Sequence, residues 1–313
     1  MKELIKAWNG RRYYSLDAYL KNTFGRKLYK LSLNGGMTCP NRDGTLSSGG
    51  CIFCSSGGSG DFAAAAELST DEQISYEKQL IGAKFQGSEY IAYFQAYTNT
   101  YAPVNRLQQL FWPVIEREDI AVLSIATRPD CLEPEKIALI RELAAIKPVW
   151  VELGLQTIHP KTADFINRGY PLSCYDEAVT HLKDAGAQVI THMIIGLPGE
   201  TREEMLATAH YIGRSGADGI KLQLLHILRN TRLAQMYDNG TVDVLDEQTY
   251  ISLLADILAI LPPQLVIHRL TGDGSKQELI APKWSGNKRH VLNALNHELK
   301  VRNLVQGAFF RGE

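Results

Sequence analysis

Three cysteines, Cys39, Cys51 and Cys54, crowd into sixteen positions of the stretch NGGMTCPNRDGTLSSGGCIFCSSGGSGDF. Thiols at this density suit a metal. The two-residue gap of Cys51-Ile52-Phe53-Cys54 lets neighbouring thiolates reach adjacent corners of one centre, and interleaved glycines permit the turns that wrap it. An iron–sulfur cube held by three thiolates keeps one iron open, where a substrate or cofactor can bind. A structural zinc site needs a further ligand, yet no His lies near the triplet, and Cys131 and Cys174 are remote in sequence. Three buried structural thiols are the other plain reading. An odd total of five cysteines argues against a disulfide framework and for a reducing compartment, so a cytoplasmic protein is expected.

The elements that must position this loop follow from periodicity. Short apolar runs alternate with longer segments of helical period from Arg26 onward, the pattern of repeated βα units on a parallel sheet. Strands are predicted at 27–33, 89–94, 120–125, 148–154, 188–195 and 218–224, and helices at 71–86, 103–117, 134–146, 175–185 and 201–215. Six strands imply an α/β fold built as a partial (β/α)6 barrel, with every strand-to-helix loop on one face. The cysteine loop follows the first strand on that face. The predicted organisation is an N-terminal extension at 1–25, a core barrel at 26–261 and a C-terminal appendage at 262–313.

Composition sets few other limits. Among 313 residues, 45% are hydrophobic and 21% charged, which is ordinary for a globular chain. Neither a signal peptide nor a membrane-length apolar run is evident. The net charge of −1 hides an asymmetry: residues 1–30 hold eight Lys or Arg against two Asp or Glu, and residues 261–313 hold eight against four. Arg11, Arg12, Lys21, Arg26, Lys27 and Lys30 stand among tyrosines, while Lys283, Lys288, Arg289, Lys300 and Arg302 mark the other end. Such ends suit a polyanion such as RNA, the plain alternative being solvated helix surface.

With these motifs in place the sequence resembles the radical S-adenosylmethionine (SAM) enzymes over nearly its whole length. Within them it is similar to the short bacterial proteins of the YtqA/YhcC type, related to the catalytic subunit of Elongator, whose first cysteine gap is stretched as here. The resemblance implies a [4Fe-4S] cluster on Cys39, Cys51 and Cys54, with SAM on the open iron. It places Gln95 and Thr98 of Phe94-Gln95-Ala96-Tyr97-Thr98-Asn99-Thr100 near the SAM amino group. Thr127 falls near the ribose, Ala126 standing where relatives carry a glutamate. Gln156 and Arg168 come next, with Arg168 on the methionine carboxylate as a bidentate guanidinium. The backbone of Ile195 and Gly196 lies along adenine and Phe53 on its other side. Read singly, Gly196-Leu197-Pro198-Gly199 is a turn, Gln156 and Arg168 are a surface amide and a helix-end cation, and Cys131 and Cys174 are small buried hydrophobes. His192 and His226 read as near-core histidines.

The implied chemistry is reductive cleavage of SAM to a 5′-deoxyadenosyl radical, fed by a flavodoxin or ferredoxin-type electron donor. The same resemblance points to tRNA and to conversion of carboxymethylaminomethyl-uridine to aminomethyl-uridine at the wobble position. Two alternatives are a radical SAM enzyme acting on a small molecule or protein, and a non-catalytic iron–sulfur or zinc binding module.

Overall fold

The computed structural model describes residues 1–58, 60, 62–82, 87–272 and 277–311. Its strands are β1 (Tyr29–Leu33), β2 (Tyr90–Phe94), β3 (Ile120–Thr127), β4 (Val149–Gln156), β5 (Gln188–Ile195), β6 (Gly219–Leu224), β7 (Ile227–Leu228), β8 (Val266–Arg269) and β9 (Leu279–Ala281). Seven of them form one parallel sheet in the order β1-β2-β3-β4-β5-β6-β8, and β7 pairs antiparallel with β9. All eight residues of β3 are buried, the near-continuous apolar run expected of a parallel strand covered on both faces. The fold is thus the partial barrel expected, with a seventh strand, β8, beyond the predicted six.

Outside the sheet lie helices Thr70–Ile81, Val104–Ile115, Pro134–Ala144, Leu172–Asp184 and Arg202–Arg214, which match the predicted set. Residues 83–86, the predicted end of the first of these, fall outside the described residues. Ser69 and Thr201 each form a capping box with the glutamate three positions on, which sets where two of the helices start. Helix Glu247–Ile260 is apolar on most of its surface because it packs against both Arg202–Arg214 and Lys288–Val301.

The amino-terminal segment closes the end of the barrel where the strands begin. Helix Leu16–Phe24 lays Leu16, Tyr19, Leu20 and Phe24 against Ile91, Val122, Trp150 and Ile190, all near strand starts. Residues 14 and 15 then extend the sheet: the Tyr14 carbonyl accepts from Ile267 N at 2.8 Å, and Ser15 bridges Ile267. Fully buried Gln306 clasps this junction, since its Oε1 accepts from Tyr14 N at 2.9 Å while Nε2 donates to the carbonyls of Pro262 and Leu265. No helix among the described residues is long and apolar enough to cross a membrane.

Candidate active site

At the other end of the barrel, where the strands finish, the cysteine loop covers a cavity of about 210 Å³. Cys39, Cys51 and Cys54 all line it, each partly exposed. Short backbone bonds fold the loop back on itself, from Arg42 N to the Cys39 carbonyl at 2.8 Å and from Cys54 N to the Cys51 carbonyl at 3.0 Å. Others fasten it to its surroundings. Ile52 N donates to the Ile166 carbonyl at 3.2 Å, and Asn167 Nδ2 donates to Ser47 Oγ at 3.0 Å and to the Gly50 carbonyl at 2.9 Å.

Three features of this loop fit an iron–sulfur cluster. Asn41 is fully buried, directs Nδ2 at Cys51 Sγ from 3.7 Å, and has an Oδ1 with no hydrogen-bond partner. Arg42, anchored on the carbonyls of Cys54 and Ser55, and Arg128, tied to Asp130, set positive charge beside the thiols. Burial pushes the Cys51 thiol up to about 12, with the neighbouring Cys54 adding to the shift and Arg128 opposing it, so a metal must displace its proton.

Phe53, Gln95, Thr98, Thr127, Gln156 and Arg168 line the same cavity as the cysteines. Thr98 N donates to the Thr38 carbonyl, and Thr127 Oγ1 shares a hydrogen bond with Thr100 Oγ1 at 2.5 Å. Gln156 adopts φ +64 at the end of β4, and Tyr97 on the facing wall adopts φ +58, a left-handed backbone that non-glycine residues take at a cost. Arg168 is no exposed helix-end cation. It is 2% exposed, and four of its N–H groups reach main-chain carbonyls, Nη1 donating to Leu155 at 3.0 Å and Thr157 at 2.6 Å. The Ile195 side chain is buried in the core, whereas that of its neighbour Ile194 faces the cavity. Gly196, at φ +87, turns the chain and donates its N–H to Met205 Sδ at 3.2 Å.

Sequence reasoning passed over the polar group at the bottom of the cavity. Glu152 on β4 is buried, and its Oε1 accepts from Lys30 Nζ at 2.7 Å and Ser124 Oγ at 3.0 Å. Its Oε2 accepts from His192 Nε2 at 2.8 Å and from Lys221 Nζ. Although burial opposes ionisation of Glu152, the adjacent ammonium groups win and hold its pKa well below the usual range. His192 and His226 line the cavity rather than the core.

With that geometry stand the comparisons. The Radical SAM superfamily model matches residues 39–212, beginning at the first cysteine, and the Radical_SAM C-terminal domain model matches residues 217–301. The chain is 44% identical over 301 residues to the protein YtqA of Bacillus subtilis (strain 168), covering 96% of this chain and 94% of YtqA. It is also 31% identical over 154 residues to a tRNA uridine(34) acetyltransferase of Dehalococcoides mccartyi (strain CBDB1), covering 48% of this chain and 33% of that protein. In fold it is similar to the archaeal Methanocaldococcus infernus Elp3, with a TM-score of 0.68 and 17% identity over 89% of this chain and 64% of the other. The chain belongs to the radical SAM superfamily.

Proposed function

We propose that this chain holds a [4Fe-4S] cluster on Cys39, Cys51 and Cys54 and, with an electron from a flavodoxin or ferredoxin-type donor, cleaves SAM to start a radical reaction on tRNA. One observation carries the reading: the three cysteines of a single loop line one cavity together with Gln156 and Arg168. Held by Cys39, Cys51 and Cys54, a reduced cluster would supply the low-potential electron for reductive cleavage of SAM. The chain's own residues do the rest. Gln95, Thr98, Thr127 and Gln156 offer amides and hydroxyls for the polar parts of SAM, and Phe53 offers a face for adenine. Arg168 places a buried positive charge beside the methionine carboxylate, and its main-chain anchors hold it still, so little order is lost on binding.

The substrate assigned is the carbon-5 side chain of the wobble uridine, with carboxymethylaminomethyl-uridine converted to aminomethyl-uridine. Similarity to a uridine-34 enzyme supports tRNA, and the specific conversion rests on the resemblance to the short bacterial branch. The test is anaerobic reconstitution with iron and sulfide, followed by reduction with SAM and tRNA carrying carboxymethylaminomethyl-uridine. Release of 5′-deoxyadenosine together with aminomethyl-uridine in the digested tRNA is expected. Zinc without iron would sink the cluster, and 5′-deoxyadenosine with unchanged tRNA would favour a small-molecule or protein substrate.

A further inference from the structure

Below the cysteines, the barrel interior does not fill with the branched apolar side chains usual at this level. Lys30 from β1 and Lys221 from β6 share one carboxylate, that of Glu152, and they flank the Tyr93 ring at 4.4 and 4.5 Å from its centroid. Lys221 also donates to the Tyr93 hydroxyl at 3.1 Å. Two ammonium groups to one carboxylate leave a positive excess in a place from which water is largely excluded. His192 does not alter that sum, because burial lowers its pKa to about 4 and keeps it neutral at pH 7. Burial lowers the Lys221 pKa, although the Glu152 carboxylate opposes the shift.

Part of this group opens on the cavity, with buried Lys221 lying behind it. Tyr93, Glu152, His192 and Arg269 are part of the wall that the cysteines also line. Arg269, opposite Lys221 in the register between β6 and β8, brings a guanidinium to the same wall. We propose that the barrel floor around Lys221, Lys30 and Arg269 is a receptor for a carboxylate of the substrate. The floor already solves this problem once, seating Glu152 among lysine, histidine and serine donors. A second carboxylate descending from the mouth would supply the missing charge and hold the carbon next to it between floor and cysteine loop. The proposal rests on the wobble-uridine reading, in which the side chain ends in a carboxylate.

The test uses anaerobic, cluster-loaded protein and two anticodon stem-loop RNAs that differ only in the wobble substituent, carboxymethylaminomethyl or aminomethyl. Wild type should bind the carboxylated RNA roughly tenfold tighter, as befits one charge-assisted contact. Lys221→Met and Arg269→Gln should bring the two RNAs to equal affinity and leave the aminomethyl RNA bound about as before. Half-buried Arg269 keeps the test valid if Lys221→Met does not fold. Equal binding of both RNAs by wild type, or an undiminished preference in Arg269→Gln, overturns the proposal. N-methylglycine, which carries the ammonium and carboxylate of the substituent without the RNA, separates the two readings. If wild type binds neither RNA yet is thermally stabilised by N-methylglycine through Arg269, the receptor stands and the tRNA reading falls. If it responds to neither, the receptor falls as well.

Discussion

Arg168 grips the carbonyl oxygen of Tyr170 with two donors, Nε at 3.1 Å and Nη2 at 3.0 Å, while the Tyr170 ring lies 4.7 Å beneath the guanidinium. The side chain is thus a keystone of the turn after β4 as well as a cation on the cavity wall. Arg168→Ala leaves the carbonyls of Leu155, Thr157 and Tyr170 without this donor, and should destabilise the protein by about 3 kcal/mol or more. Arg168→Lys keeps the charge, loses the planar fork, and should recover less than half of that. Urea unfolding of the three proteins checks this, and equal midpoints would show the turn to be held by other means.

Each of Cys39→Ala, Cys51→Ala and Cys54→Ala should lose iron and sulfide on reconstitution and with them SAM cleavage. Cys131→Ala and Cys174→Ala should retain both. Cys131 is buried beneath the site, where its carbonyl accepts from Thr100 Oγ1 at 2.6 Å and its N–H donates to the Arg128 carbonyl at 3.2 Å; alanine preserves both bonds and loses only the thiol's 3.9 Å contact with Asp130 Oδ1. Iron and sulfide analysis of the five variants decides the ligand set.

Gly58 stands at φ +60, and a Cβ there would fall 2.2 Å from Tyr97 Cδ1. The Tyr97 hydroxyl donates to the Ser56 carbonyl at 2.5 Å, and Arg42 lies 5.6 Å over its ring. Gly58→Ala must displace Tyr97 and with it the platform under Arg42, besides roughly 1 kcal/mol of backbone strain. Cluster loading should fall while far-ultraviolet circular dichroism stays unchanged. Wild-type iron content in this variant would show that Tyr97 does not support the cysteine loop.

Stability should decline as pH falls. The folded-state pKa of His192, at about 4, lies below its unfolded value near 6.5, so neutral His192 contributes stability that is whole above pH 6.5 and is lost as pH drops toward 4. Glu152, also depressed, acts in the same direction below its own unfolded value. The His192 contribution lost is on the order of 3 kcal/mol. Denaturant midpoints measured from pH 7.5 to 4.5 should fall for wild type and fall less for His192→Gln, and parallel slopes would refute the assignment.

For tRNA the two basic ends should differ. Lys288 and Arg289 are exposed at the start of helix Lys288–Val301, next to the turn in which Ser285 Oγ meets His226 Nε2 at 3.1 Å on the cavity wall. Arg11 and Arg12 lie at the opposite end of the barrel, where Arg12 donates to the Leu304 carbonyl. Charge reversal at Lys288 and Arg289 should weaken tRNA binding about tenfold and lower the salt slope by about 2, whereas reversal at Arg11 and Arg12 should alter neither. Filter binding over a salt series measures both, and equal losses from the two pairs would argue for non-specific attraction.

The six strands of the core and the cysteine loop at its mouth were legible because both are local patterns, one of alternation and one of spacing. β8 was not, since Val266-Ile-His-Arg269 is four residues long, follows Pro262-Pro263, and becomes a strand by pairing with distant β6. Lys30 reads as one of a run of surface cations, yet strand alternation turns it inward to a carboxylate 122 residues away. Glu152 on β4 and Lys221 on β6 likewise meet across the intervening β5, 69 residues apart in sequence. Strand phase turns the Ile194 side chain to the cavity and that of Ile195 to the core.

The clasp of Gln306 on Tyr14, Pro262 and Leu265 also ties the rim of the barrel together. The rim strand at 266–269 has residues 14 and 15 as its outer partner, and the amide that holds Tyr14 also holds the turn leading into that strand. Loosening this one side chain therefore frees the strand's approach and its outer partner together, so the rim opens as one cooperative unit rather than strand by strand.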